Sequence, residues 1–322
     1  MAKKRNNTNN TNSKKVATGS EANSHTPFES FPLDLVSGEK KKTQHKHQHQ
    51  HKRRLLLKEL VPNEPVWVVP QFLTPTECQQ WIAFCESASA SGSSHGMFEY
   101  TYHPADRYTA HRECYRLQQK DATVITDVLY RRLMANLLTT SNNTNTTTNH
   151  NNNSNNSNDN NKNKNQFHNK ILHYYPNGYT PIGFNPNLRL YKYTKGHSFG
   201  KHVDGSNSVP ARSMRTSTGV GGSGSDGTTE ITVLIYLSSC TGGATRFYSA
   251  TPSAAAAAPS RTTTKNNKNF PKHPPSSSSF AFDPVPGTML LHIHGDRCLE
   301  HEADPVLDGV KYVLRTDVVF SK

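Results

Sequence analysis

The tripeptide His202-Val203-Asp204 sets an imidazole and a carboxylate two residues apart. On an extended strand alternate side chains leave the same face, so this pair can reach one metal ion. A second imidazole from a distant part of the chain would complete a set of two His and one carboxylate. Such a set grips Fe(II) from one side and leaves three coordination positions open for a cosubstrate and O2, as non-haem iron oxygen chemistry requires. The spacing alone does not decide the matter. The chain has 17 His, and a second HxD occurs at His294-Gly295-Asp296. His292, His294 and His301 are the candidates for the distant imidazole.

The elements that must position these groups are short strands. Leu188–Tyr193, Glu230–Leu237, Thr288–Ile293 and Val310–Phe320 are rich in β-branched and aromatic residues. Val66–Val69 is a further strand candidate. Between these and the N-terminus the pattern is helical. Thr74 can cap a helix, Pro75 suits its first position and Glu77 completes a capping box. Cys78, Trp81, Ile82 and Cys85 then recur at helical spacing. A second helix is predicted near 121–138, with Ile125, Val128, Leu129 and Leu133 on one face. Helices first and strands afterwards predict a mainly β fold, a jelly roll buttressed by N-terminal helices.

Five motifs in order extend the HxD signal. They are Tyr191-Lys192-Tyr193 on a strand, His202-Val203-Asp204, Tyr236-Leu237 on a second strand, Gly242-Gly243, and His301 followed by Pro305-Val306, Gly309 and Lys311. In this order the chain resembles the prolyl 4-hydroxylase-like branch of the 2-oxoglutarate/Fe(II) oxygenases, over about residues 66–322 apart from inserts. The resemblance implies a double-stranded β-helix in which His202, Asp204 and His301 hold Fe(II). It places Lys311, ten residues after His301, on the distal carboxylate of the cosubstrate 2-oxoglutarate. Arg315 is the rival for that role, and its other reading is a structural pair with Asp317 on the same strand face. Tyr193 and Tyr236 match positions that hydrogen-bond or pack against the cosubstrate. Ascorbate is the reductant the resemblance implies, and a peptidyl proline the favoured substrate. Another protein residue, a nucleic acid, or a non-catalytic cupin-like metal-binding module are the other readings. Two departures stand out. Ala244 occupies a position where the family commonly has Glu, and 96 residues separate Asp204 from His301. A loop can lengthen that much at small cost in closure entropy.

Composition limits the rest. Only 33% of residues are hydrophobic and the mean hydropathy is -0.76. Residues 1–62 read as a basic, His-rich disordered tail. Residues 63–322 read as one oxygenase domain carrying low-complexity inserts at 139–167 and 249–279, with a further Gly/Ser loop near 217–228. The first 58 residues carry 13 Lys/Arg against 4 Asp/Glu, so nine of the thirteen net positive charges sit in the tail. Such a tail can meet nucleic acid, an anionic membrane surface or an import receptor. Cys78, Cys85, Cys114, Cys240 and Cys298 are odd in number and lack CxxC spacing, a reduced-protein pattern. With no apolar signal segment at the N-terminus and no run of 18 apolar residues, the expectation is a cytoplasmic or nuclear protein with no membrane span. The expected partner is a protein or peptide substrate.

Overall fold

The structure is a computed structural model that describes residues 55–90, 98–137, 166–214, 226–249 and 278–322. The expected His-rich tract, the Gly/Ser loop and most of both inserts lie outside these residues. Among the described residues no helix is long and apolar enough to cross a membrane.

In chain order the elements are β1 (Lys58–Glu59), β2 (Val66–Val69), α1 (Pro75–Ala90), β3 (Glu99–His103), β4 (Arg112–Gln119), α2 (Thr123–Asn136) and α3 (Gln166–Lys170). Then follow β5 (Thr180–Phe184), β6 (Leu188–Tyr193), β7 (Phe199–His202), β8 (Ser208–Val209), β9 (Gly227–Tyr236), β10 (Cys240–Gly242) and β11 (Thr245–Ser249). The series closes with β12 (Ser278–Phe282), β13 (Met289–Ile293), β14 (Glu300–Ala303), β15 (Val306–Gly309) and β16 (Lys311–Ser321). Predicted strand and helix boundaries agree within a few residues.

The strands form one antiparallel sheet in the order β1-β2-β13-β9-β16-β6-β4-β7-β14-β11-β12, with β3, β5 and β8 attached to β4, β16 and β9. β10 and β15 make a separate pair. The long sheet is curled. β13 and β14 lie six strands apart in it, which on a flat sheet would be roughly 29 Å at about 4.8 Å per strand. Yet the rings of His292 on β13 and His301 on β14 have centroids 4.4 Å apart. The sheet therefore wraps into a roll, the expected mainly β jelly-roll architecture, and encloses its inner face.

The helices cover the outer face. The capping box forms as the sequence predicts: the Thr74 N–H donates to Glu77 Oε2 (2.6 Å) and the Glu77 N–H to Thr74 Oγ1 (3.1 Å). Cys78, Trp81 and Cys85 of α1 and Ile125, Leu129 and Leu133 of α2 are buried in one cluster with Trp67, Ile235, Leu291 and Leu314 from the sheet. This packing fixes strands β2, β13, β9 and β16, and through them the inward-facing side chains.

The packed region is longer than the sequence suggests. Leu55 and Leu57, expected in the disordered tail, are buried. Gln166 and Phe167, expected in the insert, form the start of α3 and are buried as well. One side chain explains both. Gln166 Oε1 accepts the Leu57 N–H at 3.0 Å, and Gln166 Nε2 donates to the Leu55 carbonyl at 3.2 Å. The amide stands in for a neighbouring strand and so lets an apolar segment end inside the core without orphaned backbone groups. At the second insert, Ser249 ends β11 and Ser278 begins β12, so the paired strands run a residue or two into the expected loop.

Candidate metal centre

β7 ends at His202, and Asp204 follows two residues later. β14 pairs with β7 so that His301 stands opposite His202. Register therefore brings together the three groups that the sequence singled out. One donor atom each from His202, Asp204 and His301 lie within 4.8 Å of one another. His202 Nε2 is 3.8 Å from Asp204 Oδ1, and His301 Nε2 is 3.7 Å from Asp204 Oδ2.

Backbone carbonyls orient both imidazoles. His202 Nδ1 lies 2.8 Å from the Gly200 carbonyl and His301 Nδ1 lies 2.9 Å from the Leu299 carbonyl. A carbonyl only accepts, so each Nδ1 must carry the proton, and each Nε2 turns a lone pair toward the carboxylate. This is the tautomer a metal needs. Burial disfavours the imidazolium and drives the His202 pKa down to about 4, with His301 adding to the effect against the pull of Asp204. His301 is lowered too, chiefly by burial. Burial pushes the Asp204 carboxyl up, but Arg315, His292, His301 and the Thr232 hydroxyl outweigh it and hold it well below the usual carboxylate range. Two neutral imidazoles and one carboxylate are the donor set that binds a divalent transition metal with open positions. These residues fit Fe(II).

The set opens into a cavity of about 480 Å³, its mouth included. Alternate residues of three neighbouring strands line its wall: Tyr191 and Tyr193 of β6, Lys311, Val313 and Arg315 of β16, and Thr232 and Leu234 of β9. Lys311 pairs in register with Tyr193, and its Nζ lies 5.4 Å from that ring. The ammonium donates to the Gly243 carbonyl at 2.6 Å. Among the described residues no carboxylate reaches it. Burial lowers its pKa to about 8, against a weaker pull from Cys240 and Asp304. Gly243 has φ +66°, and a Cβ there would meet Cys240 Sγ at 2.8 Å and Lys311 Cδ at 3.3 Å. The second glycine of the Gly-Gly pair thus makes room for the lysine stem.

Arg315 and Tyr236 have further contacts that the sequence did not single out. Arg315 shares the strand face of Asp317 but lies 3.9 Å from it. Its guanidinium instead sits 2.9 Å from Asp204 Oδ2. Asp317 is taken by Arg189 at 2.7 Å and Asn185 at 3.2 Å. Tyr236 shares the inward face of Thr232 and Leu234 but is fully buried, its ring 5.7 Å from Lys311 Nζ and its hydroxyl 2.8 Å from Thr245 Oγ1. The hydroxyl that reaches the cavity there belongs to Thr245.

Sequence reasoning missed Thr232 and gave His292 and His294 only as rival ligands. Thr232 donates to Asp204 Oδ2 at 2.6 Å, and His294 Nε2 stands 2.7 Å from the same hydroxyl. Its signal was available in the alternation Thr232, Leu234, Tyr236 on one strand. His292, named only as a rival ligand, lines the cavity, and its Nε2 is 3.6 Å from Asp204 Oδ2.

No family model and no curated protein matches the sequence. Among solved structures, the chain is similar to a viral collagen prolyl hydroxylase of Paramecium bursaria Chlorella virus-1 at 14% identity. That match has a TM-score of 0.40 and covers 81% of this chain and 98% of the other. A Pseudomonas putida prolyl-4-hydroxylase matches at 12% identity and TM-score 0.40, over 80% of this chain and 92% of that one. The non-haem α-ketoglutarate-dependent epimerase SnoN from nogalamycin biosynthesis matches at the same identity and TM-score, over 80% and 79%. Likeness at this level assigns no chemistry; the donor set and the cavity must do so.

Proposed function

We propose that this chain is a 2-oxoglutarate- and Fe(II)-dependent oxygenase that hydroxylates its substrate. The observation that carries the reading is Lys311, a buried ammonium without a carboxylate partner, on the same cavity as His202, Asp204 and His301. An unpaired buried charge is costly, and a cavity that keeps one is built for an anion from outside. A small dicarboxylate satisfies both ends of the cavity, one carboxylate at the metal and the other at Lys311.

Each residue has a task in this reading. The Nε2 atoms of His202 and His301 and the Asp204 carboxylate hold the metal. Thr232 and Arg315 orient Asp204. Tyr191, Leu234 and Val313 keep water from the enclosed face, which strengthens the Lys311–carboxylate attraction. Bound Fe(II) supplies the activation of O2, coupled to conversion of 2-oxoglutarate to succinate and CO2. Ascorbate is the proposed reductant.

For the substrate we favour a peptidyl proline, on the motif resemblance. The hairpin β3–β4 adds support. It carries the half-exposed Tyr100 and Tyr102, and its Arg112 guanidinium lies 3.9 Å over Phe199, the cavity residue stacked on His202. Exposed aromatic faces on this hairpin suit a proline ring. The proposed setting is the cytoplasm or nucleus.

The test is Fe(II)-dependent formation of succinate from 2-oxoglutarate by the full chain, and its loss in His202→Ala and Asp204→Ala. A non-catalytic metal-binding module would form none. An unbiased mass-spectrometric search of treated cell extract for products heavier by one oxygen atom then identifies the substrate. A nucleic-acid substrate would instead show binding that weakens steeply with salt.

A further inference from the structure

A second group of potential ligands abuts the first. His292, Cys298 and His301 also offer donor atoms that all lie within 4.8 Å of one another. His292 sits on β13 and is 2% exposed. Its Nδ1 is 3.9 Å from Cys298 Sγ, while its Nε2 is buried and has no hydrogen-bond partner. A buried imidazole with an unsatisfied nitrogen is costly to keep. The β13–β14 connection brings the thiol here: Gly295 adopts φ +72°, a short 3-10 turn follows, and Cys298 folds back beside His292. Cys298 is free and half-buried, and it accepts the Asp204 N–H at 3.3 Å.

The donor chemistry differs from that of the first set. Two imidazoles and a thiolate are softer than two imidazoles and a carboxylate. Thiolates favour Zn(II) over harder ions, in four-coordinate sites with bonds of about 2.0–2.3 Å. Such bonds put neighbouring donors about 3.5 Å apart, so the group must contract by roughly an ångström. Cys298, at the end of a turn, can move that far. Asp204 Oδ2, 3.6 Å from His292 Nε2 and 3.7 Å from His301 Nε2, is placed to accept a proton from His292 or to fill the fourth position.

We propose that His292, Cys298 and His301 form a second, thiolate-containing metal site that takes Zn(II), and that its occupation excludes a metal from His202, Asp204 and His301. The two sites share one lone pair. His301 Nδ1 is committed to the Leu299 carbonyl, so only Nε2 can bind, and it serves one ion at a time. On binding, Zn(II) gains the sulfur lone pair and the thiol proton leaves to solvent, with no change of oxidation state. Zinc would then silence the chain. That exclusion rests on the reading of His301 as an iron ligand; the thiolate site does not.

Co(II) is the probe, because a thiolate bound to it gives a charge-transfer band in the near ultraviolet that imidazole and carboxylate do not. Metal-free full-length chain is titrated with Co(II) and then with Zn(II). We expect the band in wild type, its loss in Cys298→Ser and Cys298→Ala, and its replacement when Zn(II) is added. It should be at least as strong in His202→Ala and His202→Gln, which cripple the first site only. Absence of the band in wild type overturns the proposal, as does its survival in both Cys298 variants or its loss in both His202 variants. Equilibrium dialysis tests exclusion: one equivalent of Zn(II) should expel Fe(II) from wild type, and Cys298→Ser should need roughly tenfold more Zn(II) or beyond. Co-retention of one Zn(II) and one Fe(II) per wild-type chain would overturn exclusion. Failure of the oxygenase reading is separately visible as absence of succinate with Fe(II) alone.

Discussion

Lys311 and Arg315 project from the same face of one strand into one cavity, yet they touch different things, and that separates their predicted phenotypes. Lys311→Ala removes the partner of a desolvated carboxylate, at about 2–5 kcal/mol. The KM for 2-oxoglutarate should rise roughly thirty-fold to several-thousand-fold, while Fe(II) affinity measured without cosubstrate stays nearly constant. A KM within threefold of wild type would remove Lys311 from the cosubstrate site. Arg315 touches Asp204 itself. Breaking a buried pair by removing one member costs about 3–5 kcal/mol, because the other charge is left alone. Arg315→Ala should therefore lower the melting temperature of the metal-free chain strongly. The loss should be much smaller once a divalent metal supplies the missing positive charge. Equal losses in both forms would make Arg315 merely structural. At this scale the sequence was informative where chemistry follows the chain. His202 and Asp204 are neighbours, and the strand parity that pairs Lys311 with Arg315 can be read directly. Strand alternation puts Thr232 on the inward face, but its bond to Asp204 and the approach of His292 were not legible, because both depend on how far the sheet curls.

Gln166 shows what a single element can hide. Its five-residue helix follows a long Asn-rich stretch, and Leu55–Leu57 follows a basic run, so local composition makes both look unfolded. Their burial is visible only as a pair, across more than a hundred residues. Gln166→Ala strands the Leu57 N–H and the Leu55 carbonyl, and each unsatisfied buried group costs about 1–3 kcal/mol. The urea midpoint should fall accordingly, whereas Gln166→Glu, which keeps the acceptor but not the donor, should fall in between. A variant as stable as wild type would mean the Leu55–Leu57 segment is dispensable. Helix α1 is the opposite case. Thr74, Pro75 and Glu77 announce its start within four residues, and the capping bonds follow from local geometry alone.

Over the whole molecule, four imidazoles gather around the Asp204 carboxylate and its Thr232 partner, and burial lowers the pKa of His202, His292, His294 and His301 alike. In the unfolded chain each titrates near 6.5. Between that value and about 4, where His202 titrates in the fold, the unfolded state binds more protons. The metal-free chain should thus lose stability as pH falls from about 6.5 toward 4, and recover it on return. Urea midpoints at several pH values check this; a flat profile would mean the imidazoles are already charged in the fold. The strand order carries a different consequence, one of timing. Among the described residues β16 follows every other strand of the sheet, yet it lies between β9 and β6 in the middle of it. A ribosome that has made residues 1–310 has therefore synthesised both flanks of the sheet without the strand that joins them. Chains are made at about 5–20 residues per second, so the flanks wait with open edges, a state prone to misassociation. The same strand delivers Lys311 and Arg315. Nascent chains arrested before residue 311 should be digested by protease throughout, and those carrying β16 clear of the ribosome should become resistant in one step, so that the sheet and its binding cavity are completed together.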